Sequence, residues 1–238
     1  MRSLLYGMGL LGLCALQTSV AGASSLQVSP TRLEKVLPES AGVITLRNGG
    51  NNPVKVQVRV FRWSQVMGIE RLDPTTDVVA SPPVAQVGAN NQYLLRVVRV
   101  SKKPVAIEES YRVLVDELPD PSQMKNGNVN FTVRFSLPVF FRAAETPAGQ
   151  VTWNIRRGNG GYLLSGTNTG ATKLRVKDVQ LLQNSRIVAI KKDVAGYVTA
   201  GGSAQFELGN AKGLAAGPAI LKLETDKGPV EANVDVSN

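Results

Sequence analysis

The sequence predicts an all-β protein made of two β-sandwich domains. Short runs rich in Val, Ile, Leu and Thr recur along the chain, at about the 8–12-residue spacing that is typical of sandwiches. Gly, Asn and Pro separate these runs, and all three favour the tight turns that connect antiparallel strands. No stretch keeps an apolar period of about 3.6 residues, so the pattern does not predict helices.

Residues 1–23 are predicted to be a signal peptide. Arg2 precedes the apolar run Leu4–Leu16, and the small residues Ala21-Gly22-Ala23 follow it as a cleavage site. The run is too short to span a bilayer, and no later segment is apolar over a longer stretch. We therefore expect an exported protein with no membrane insertion.

Residues 24–144 are predicted to form the first domain. The turn residues Asn48–Pro53 and Asn126-Gly127 include types that tolerate positive φ. About seven strands fit into this half, a number typical of an immunoglobulin-like sandwich. The clearest of them are Ser25–Val28, Gly42–Arg47, Val54–Trp63, Gln92–Val100, Tyr111–Leu118 and Val129–Arg142.

Residues 145–238 are predicted to form a second, smaller immunoglobulin-like sandwich. Small residues and Pro dominate residues 143–149, and a new set of strands begins at Val151. Two sandwiches joined by so short a linker usually meet at an angle and leave a cleft between them. Trp63 and Trp153, one in each half, are expected in the sandwich cores.

The composition favours a binding protein over an enzyme. The chain contains no His, and its single cysteine, Cys14, lies in the predicted signal peptide. Histidine bases, cysteine nucleophiles and thiolate metal sites are therefore excluded for the mature chain, and we predict no catalytic residue, no metal site and no cofactor. The formal net charge of +9 favours an anionic partner, but no more than two cations are adjacent, so nucleic-acid binding is not predicted.

One predicted strand, Val129–Phe141, is unusually long. Its 13 residues would extend roughly 43 Å at about 3.3 Å per residue, about twice the length of a usual strand. Pro138 cannot donate a ladder hydrogen bond, which favours an edge position. The periodicity alone fits either a half-buried core strand or an edge strand offered to a partner. The apolar residues at every second position are Val129, Phe131, Val133, Phe135, Leu137, Val139 and Phe141.

In this region the chain resembles the periplasmic chaperones of the chaperone–usher pathway, the PapD-like pilus chaperones. The resemblance covers most of residues 25–230, and its motifs are individually weak but occur in the right order. They are the opening strand Leu26–Arg32, the turn Ser81-Pro82-Pro83-Val84, the strand Gln92–Arg96, the segment Glu109–Pro119, the aromatic-Arg end Val139–Arg142 and the turn Asp226-Lys227-Gly228.

The resemblance implies an L-shaped molecule of two immunoglobulin-like domains with an interdomain cleft. Such a chaperone captures pilus subunits that lack a final strand by donor-strand complementation, anchors their C-terminal carboxylate in the cleft and delivers them to an outer-membrane usher. Arg32 matches the cleft arginine that holds the carboxylate. The lent side chains would be Val129, Phe131, Val133, Phe135 and Leu137, and the charge network that fixes the domain angle would be Glu109, Arg142 and Asp226.

The chain departs from the family pattern at one position. Pro138 stands where family members usually have a lysine that serves as the second carboxylate anchor. If Leu118 lies opposite about Val129 in a hairpin, Arg112 lies opposite residues 135–138 and can replace that lysine. The rival anchors are Arg134 and Arg142, and Arg112 could instead be a surface residue that pairs with Glu109.

This departure and the long apolar alternation favour the archaic branch of the family. A secreted two-domain adhesin or carbohydrate-binding module is the alternative function, although the sequence offers few loop aromatics for it.

Overall fold

The computed structural model describes residues 25–120, 131–158, 160–194, 196–211 and 213–237. These residues form eighteen strands and no helix, so no described helix could cross a membrane. The predicted signal peptide 1–23 lies outside the described residues, as does Val129. The all-β class that the sequence predicts is confirmed.

The first ten strands form a sandwich of two sheets. One sheet has the order β1-β3-β8-β6, and the other has the order β2-β10-β9-β4-β5, with β7 also paired to β4. Residues that alternate along each strand build the core between the two sheets. In β3, Ile44 and Leu46 point inward and are fully buried, whereas Val43 points outward and is exposed. The strands are β1 (Leu26–Ser29), β2 (Leu33–Val36), β3 (Ala41–Asn48), β4 (Val54–Val66), β5 (Ile69–Pro74), β6 (Val78–Ser81), β7 (Val84–Val87), β8 (Gln92–Arg99), β9 (Glu109–Leu118) and β10 (Arg134–Arg142).

The last eight strands form one continuous sheet that encloses a second core. Its order is β14-β13-β17-β18-β11-β12-β16, with β15 also paired to β13. The buried residues of this core come only from the second half of the chain. The domain boundary at residues 144–145 remains a prediction, and it falls between β10 and the next strand. The strands are β11 (Val151–Gly158), β12 (Gly161–Asn168), β13 (Leu174–Gln183), β14 (Arg186–Lys191), β15 (Gly196–Val198), β16 (Ser203–Gly209), β17 (Gly217–Thr225) and β18 (Gly228–Ser237).

A buried asparagine closes the same kind of turn in both domains. Asn48 ends β3, its Oδ1 accepts a hydrogen bond from Gly50 N at 2.9 Å, and its Nδ2 donates to Asn52 O at 2.7 Å. Asn168 ends β12 and repeats the pattern with Gly170 N at 2.9 Å and Thr172 O at 2.8 Å. A side-chain amide that satisfies the turn backbone on both sides explains why a buried polar residue is tolerated there.

β10 is shorter than the sequence predicts, and its neighbours differ along its length. It pairs with β9 from Arg134 to Phe141, but with β2 only from Val139 to Arg142. The segment before Val139 therefore has a free edge on the side away from β9 among the described residues. Pro138 lies at this edge, as its missing N–H predicts.

The two domains meet through aromatic and polar contacts. Trp63, Phe140 and Tyr197 form a separate buried cluster, in which the Trp63 ring lies edge-on to Tyr197 at 5.8 Å. Gln65 binds the second domain by donating to Tyr197 O and accepting from Thr199 N, both at 2.9 Å. Trp63 thus lies at the domain interface, and the expectation that it belongs to a sandwich core was wrong. Trp153 packs against the second core as expected.

Candidate functional site

A pocket with three arginines lies between the two domains. We call it the cleft pocket, and its lining residues are Thr31, Arg32, Arg112, Ser136, Pro138, Arg175 and Tyr197. The first domain supplies the segment before β2 together with β9 and β10, and the second domain supplies β13 and β15. Three guanidinium groups around one small cavity form a site for an anion, and a carboxylate fits their planar, forked donors.

Arg112 is the more buried of the two predicted anchors: its side chain is 15% exposed, against 37% for Arg32. It is directly opposite Pro138 in the β9–β10 ladder, so the expectation that it faces residues 135–138 is confirmed. Its guanidinium carbon lies 3.8 Å from the centre of the Trp63 ring. Its carboxylate neighbour is Glu70, at 3.5 Å, and not Glu109. Burial lowers the pKa of Arg112, although Glu70 partly offsets this effect.

Arg32 precedes β2 at the rim of the cleft pocket. Its Nε lies 3.1 Å from Glu34 Oε1, and both side chains are partly exposed. An exposed pair of this kind holds its partners weakly. Arg32 can therefore turn toward an incoming anion at little cost. The structure brings the two predicted anchors, Arg32 and Arg112, into the same pocket.

The rival anchors lie elsewhere. Arg134 forms an ion pair with Asp116, which also binds Arg59 at 2.7 Å. Burial opposes the ionisation of Asp116, but the hydrogen bonds from Arg134 and Arg59 outweigh it and lower its pKa. Arg142 donates to Ala143 O and Ala144 O, both at 3.2 Å. Neither arginine lines the cleft pocket.

The sequence reasoning missed Arg175, the third arginine of the pocket. Arg175 belongs to β13, where its neighbours Leu174 and Val176 are buried and Arg175 points to the opposite face. Such alternation predicts an outward-facing arginine but does not show that this face meets the other domain. No signal in a single sequence distinguishes this residue from an ordinary surface arginine.

The apolar residues of the long strand have two different environments. Leu137, Val139 and Phe141 belong to the first domain's own core, and Leu137 is only 5% exposed. Phe131, in contrast, is 76% exposed. Val133 is partly buried, and Phe135 is partly buried against the first domain's core. The prediction that Leu137 is a lent residue is therefore not supported, because its side chain is already used inside the domain. The core interpretation holds for the second half of the strand, and the free edge remains in the first half.

The structure does not bring Glu109, Arg142 and Asp226 together. Glu109 lies within the first domain against Arg99, at 2.8 Å, and Asp226 accepts from Arg175 N in the second domain at 3.1 Å. Among the described residues, the ion pairs between the domains join Lys173 to Glu108 at 3.3 Å and to Glu34 at 3.5 Å. The predicted charge network thus needs correction. Glu108, one residue before Glu109, makes the interdomain contact because adjacent residues of an extended chain point in opposite directions.

The described residues contain no cluster of acidic side chains that could hold a metal ion. The groups that the site offers to a partner are the three arginines of the cleft pocket and the free edge beside them. Pro138 lies both in the cleft pocket and on β10, so the pocket and the free edge are continuous.

One family model matches the chain. It is described as pili and flagellar-assembly chaperone, PapD N-terminal domain, and it covers residues 25–147, which is more than half of the sequence. No curated protein matches the chain.

Several solved structures share its fold. A chain of the CsuC–CsuE chaperone–tip adhesion subunit complex, from the archaic Csu pili of Acinetobacter baumannii, is 23% identical with a TM-score of 0.66, covering 90% of this chain and 99% of that one. A chain of the SafA pilin–SafB chaperone complex of Salmonella enterica is 17% identical with a TM-score of 0.60, covering 90% and 98%. The Pseudomonas aeruginosa CupB2 chaperone is 17% identical with a TM-score of 0.57, covering 88% and 100%. The L-shaped pair of immunoglobulin-like sandwiches predicted from the sequence is thereby confirmed.

Proposed function

The chain belongs to the family of pili and flagellar-assembly chaperones of the PapD type, and from this premise we propose that it captures pilus subunits by lending them a strand. The lent strand is the free edge of residues 131–138. The observation that carries the proposal is the continuity of this edge with the cleft pocket: an unpaired backbone and an anion site lie end to end on one strand.

The backbone of the free edge is ready to pair with another chain. Val133 O accepts from Glu117 N at 2.9 Å, so the polar backbone atoms of Val133 face β9. Because these atoms alternate in direction along a strand, those of Arg134 and Ser136 face away from β9. Unpaired edge groups of this kind bind an added strand through main-chain hydrogen bonds.

The side chains of the free edge supply apolar surface. Phe131, Val133 and Phe135 point to one face. Phe131 is exposed, whereas Val133 and Phe135, which lie nearer the cleft, are partly buried. We propose that these three residues, together with Val129 outside the described part of the chain, fill the open core of a subunit that lacks its final strand. Leu137 is excluded from this set because it fills the chaperone's own core.

The cleft pocket fixes the direction of the bound strand. If Arg32 and Arg112 hold the subunit's C-terminal carboxylate near Pro138, the preceding subunit residues run back along residues 136 to 131. The subunit strand is then parallel to β10. This anchor sets the register of the whole pairing, since a shift by one residue would turn every subunit side chain to the other face.

The remaining steps follow from family membership. We propose that the protein acts in the periplasm, catalyses no reaction, and delivers its subunits to an outer-membrane usher. The archaic branch remains a prediction that depends on Pro138 and on the long apolar alternation. An adhesin or carbohydrate-binding module is the less favoured function, because the family match gives it no support.

Co-expression tests this proposal. The tagged chaperone is expressed in a bacterial periplasm together with each small secreted protein of its own genome that lacks a final strand, and it is purified under native conditions. We expect a stable one-to-one complex with at least one of them, and no complex when the last residues of that subunit are deleted. If the chaperone emerges alone from every pairing, or if the deletion leaves the complex intact, the proposal is wrong.

A further inference from the structure

Arg175 is the one arginine of the cleft pocket that has no acidic partner among the described residues. Arg32 lies against Glu34 and Arg112 lies against Glu70, whereas no described carboxylate forms an ion pair with the Arg175 guanidinium, since Asp226 contacts only the Arg175 backbone. Its Nε is buried and makes no hydrogen bond in the described part of the chain. A buried N–H without an acceptor is costly, so such a group in a native protein calls for an explanation, and a bound ion is one of them.

Two hydrogen bonds with Asp226 fix the backbone of Arg175. Asp226 Oδ1 accepts from Arg175 N, and Asp226 N donates to Arg175 O, both at 3.1 Å. The guanidinium carbon lies 5.8 Å from the centre of the Tyr197 ring, which itself packs on Trp63 below Arg112. The aromatic cluster thus supports two of the three guanidinium groups.

Lys173, which directly precedes β13, holds the start of this strand against the first domain. Its backbone N donates to Glu108 Oε1 at 2.9 Å, and its Nζ donates to Glu108 Oε2 at 3.3 Å. Both Lys173 and Glu108 are buried. Residues two apart on an extended chain point to the same side, so the contact that holds Lys173 to the first domain also directs Arg175 toward the cleft.

We propose that Arg175 is a third ligand of the subunit's terminal carboxylate, so that the anchor closes across both domains. This inference rests on the proposed function. A carboxylate has two oxygens that accept about four hydrogen bonds, which is enough to bind a second-domain arginine in addition to Arg32 and Arg112. Binding a single anion also relieves the mutual repulsion of three cations.

A consequence is that the second domain binds the C-terminus of the subunit directly. Strand lending with Arg32 and Arg112 as the anchors needs only the first domain, because β10 and both arginines belong to it. With Arg175 as a ligand, capture depends on the angle between the domains, and capture in turn stabilises that angle.

Two matched peptides test this inference. Both are fluorescein-labelled, about ten residues long and alternate Val with Thr after two N-terminal Asp residues. One ends in a free carboxylate and the other in a carboxamide. Fluorescence anisotropy measures their affinity for the full-length mature chain and for Arg175→Gln, Arg175→Lys and Arg32→Ala. The control is Arg156→Gln, which removes an exposed arginine of the same domain, and circular dichroism checks that each variant is folded.

We expect the wild-type chain and Arg156→Gln to prefer the free carboxylate. Arg175→Gln should weaken binding of that peptide about 10-fold or more and leave the carboxamide unchanged, as the loss of a charge-assisted hydrogen bond requires. Arg175→Lys should recover only part of the affinity, since an ammonium cannot form the forked pair.

The outcomes separate this inference from the proposed function. If the wild-type chain does not distinguish the two peptides, the carboxylate anchor itself fails. If Arg32→Ala loses the preference while Arg175→Gln keeps it, the anchor stands and the role of Arg175 is wrong. Should Arg175→Gln fail to fold, the Nε–H resonance of Arg175 decides the matter in the wild-type chain. It must shift on saturation with the carboxylate peptide and not with the carboxamide, and an unchanged resonance overturns the inference.

Discussion

At the residue scale, Glu109 is a largely buried carboxylate whose hydrogen bonds stabilise the first domain. It accepts from Arg99 Nε at 2.8 Å and from the Tyr111 hydroxyl at 2.9 Å. Burial opposes its ionisation, but the hydrogen bonds from Arg99 and Tyr111 outweigh that effect and hold its pKa below the ordinary value. This carboxylate therefore stabilises the first domain internally, and the interdomain role belongs to its neighbour Glu108.

The first prediction concerns the pH dependence of this pair. Because the pKa of Glu109 is lower in the folded chain than in the unfolded chain, its contribution to stability is complete above the unfolded pKa, about 4.3. That contribution is lost as the pH falls through the folded pKa. Glu109→Gln should lower the free energy of unfolding by about 2 kcal/mol at pH 7, and the difference from wild type should shrink below about pH 4.

Urea unfolding between pH 3 and pH 7 measures this difference. Glu231→Gln is the control, since Glu231 forms an exposed pair with Lys222 and should change stability little. A loss for Glu109→Gln that is equal at pH 3 and pH 7 would contradict the assignment.

Arg112 gives the second prediction at this scale. Arg112→Gln removes one forked donor from the cleft pocket, and it should weaken subunit binding about 10-fold or more. Arg134→Gln removes a rival anchor that faces Asp116 instead, and it should change binding far less. Isothermal titration with the captured subunit, or with its C-terminal peptide, compares the two variants, and equal effects would argue against Arg112 as an anchor.

At the scale of elements, β10 has two functions divided along its length. Its second half pairs on both edges and fills the core, while its first half pairs only with β9. The sequence could reveal the alternation and the edge position of Pro138. It could not reveal which of the apolar side chains fill the domain's own core, because the same alternation continues from Val129 to Phe141. It also could not reveal where pairing with β2 ends, because β2 lies about 100 residues earlier in the chain.

The third prediction follows from this division. Phe131→Glu should abolish subunit capture with almost no change in the chaperone's own melting temperature, because Phe131 is exposed and the charge would enter only the subunit's apolar groove. Leu137→Glu should instead unfold the first domain or destabilise it by more than about 3 kcal/mol. Thermal unfolding and co-purification of both variants check this contrast. A large stability loss for Phe131→Glu would show that the free edge belongs to the core.

At the scale of the whole molecule, specific contacts join the two domains. These contacts include the aromatic cluster Trp63–Phe140–Tyr197, the hydrogen bonds of Gln65, and the ion pairs of Lys173 with its two glutamates. The sequence predicted the two domains and a cleft but not these contacts, since each residue satisfies an ordinary strand pattern within its own domain. Contacts between side chains of different domains produce no periodic pattern in a single sequence.

The fourth prediction tests how far the cleft depends on this interface. Glu108→Gln leaves the buried Lys173 without its full counter-charge, which should cost several kcal/mol of stability at the interface. It should weaken subunit binding although residue 108 does not line the cleft pocket. Small-angle scattering together with titration measures both effects, and unchanged binding in a variant with an altered domain angle would show that the second domain is not needed for capture.

The central claim, that residues 131–138 lend their free edge to a subunit, is tested most directly by amide hydrogen exchange. The amides of Arg134 and Ser136 face away from β9 in the free chain, whereas that of Val113 lies in the middle of the sheet between β4 and β10. We expect the first two to exchange rapidly in the free chaperone and at least about 100-fold more slowly in the subunit complex, with Val113 protected in both states. Rapid exchange of Arg134 and Ser136 in a stable complex would contradict the claim.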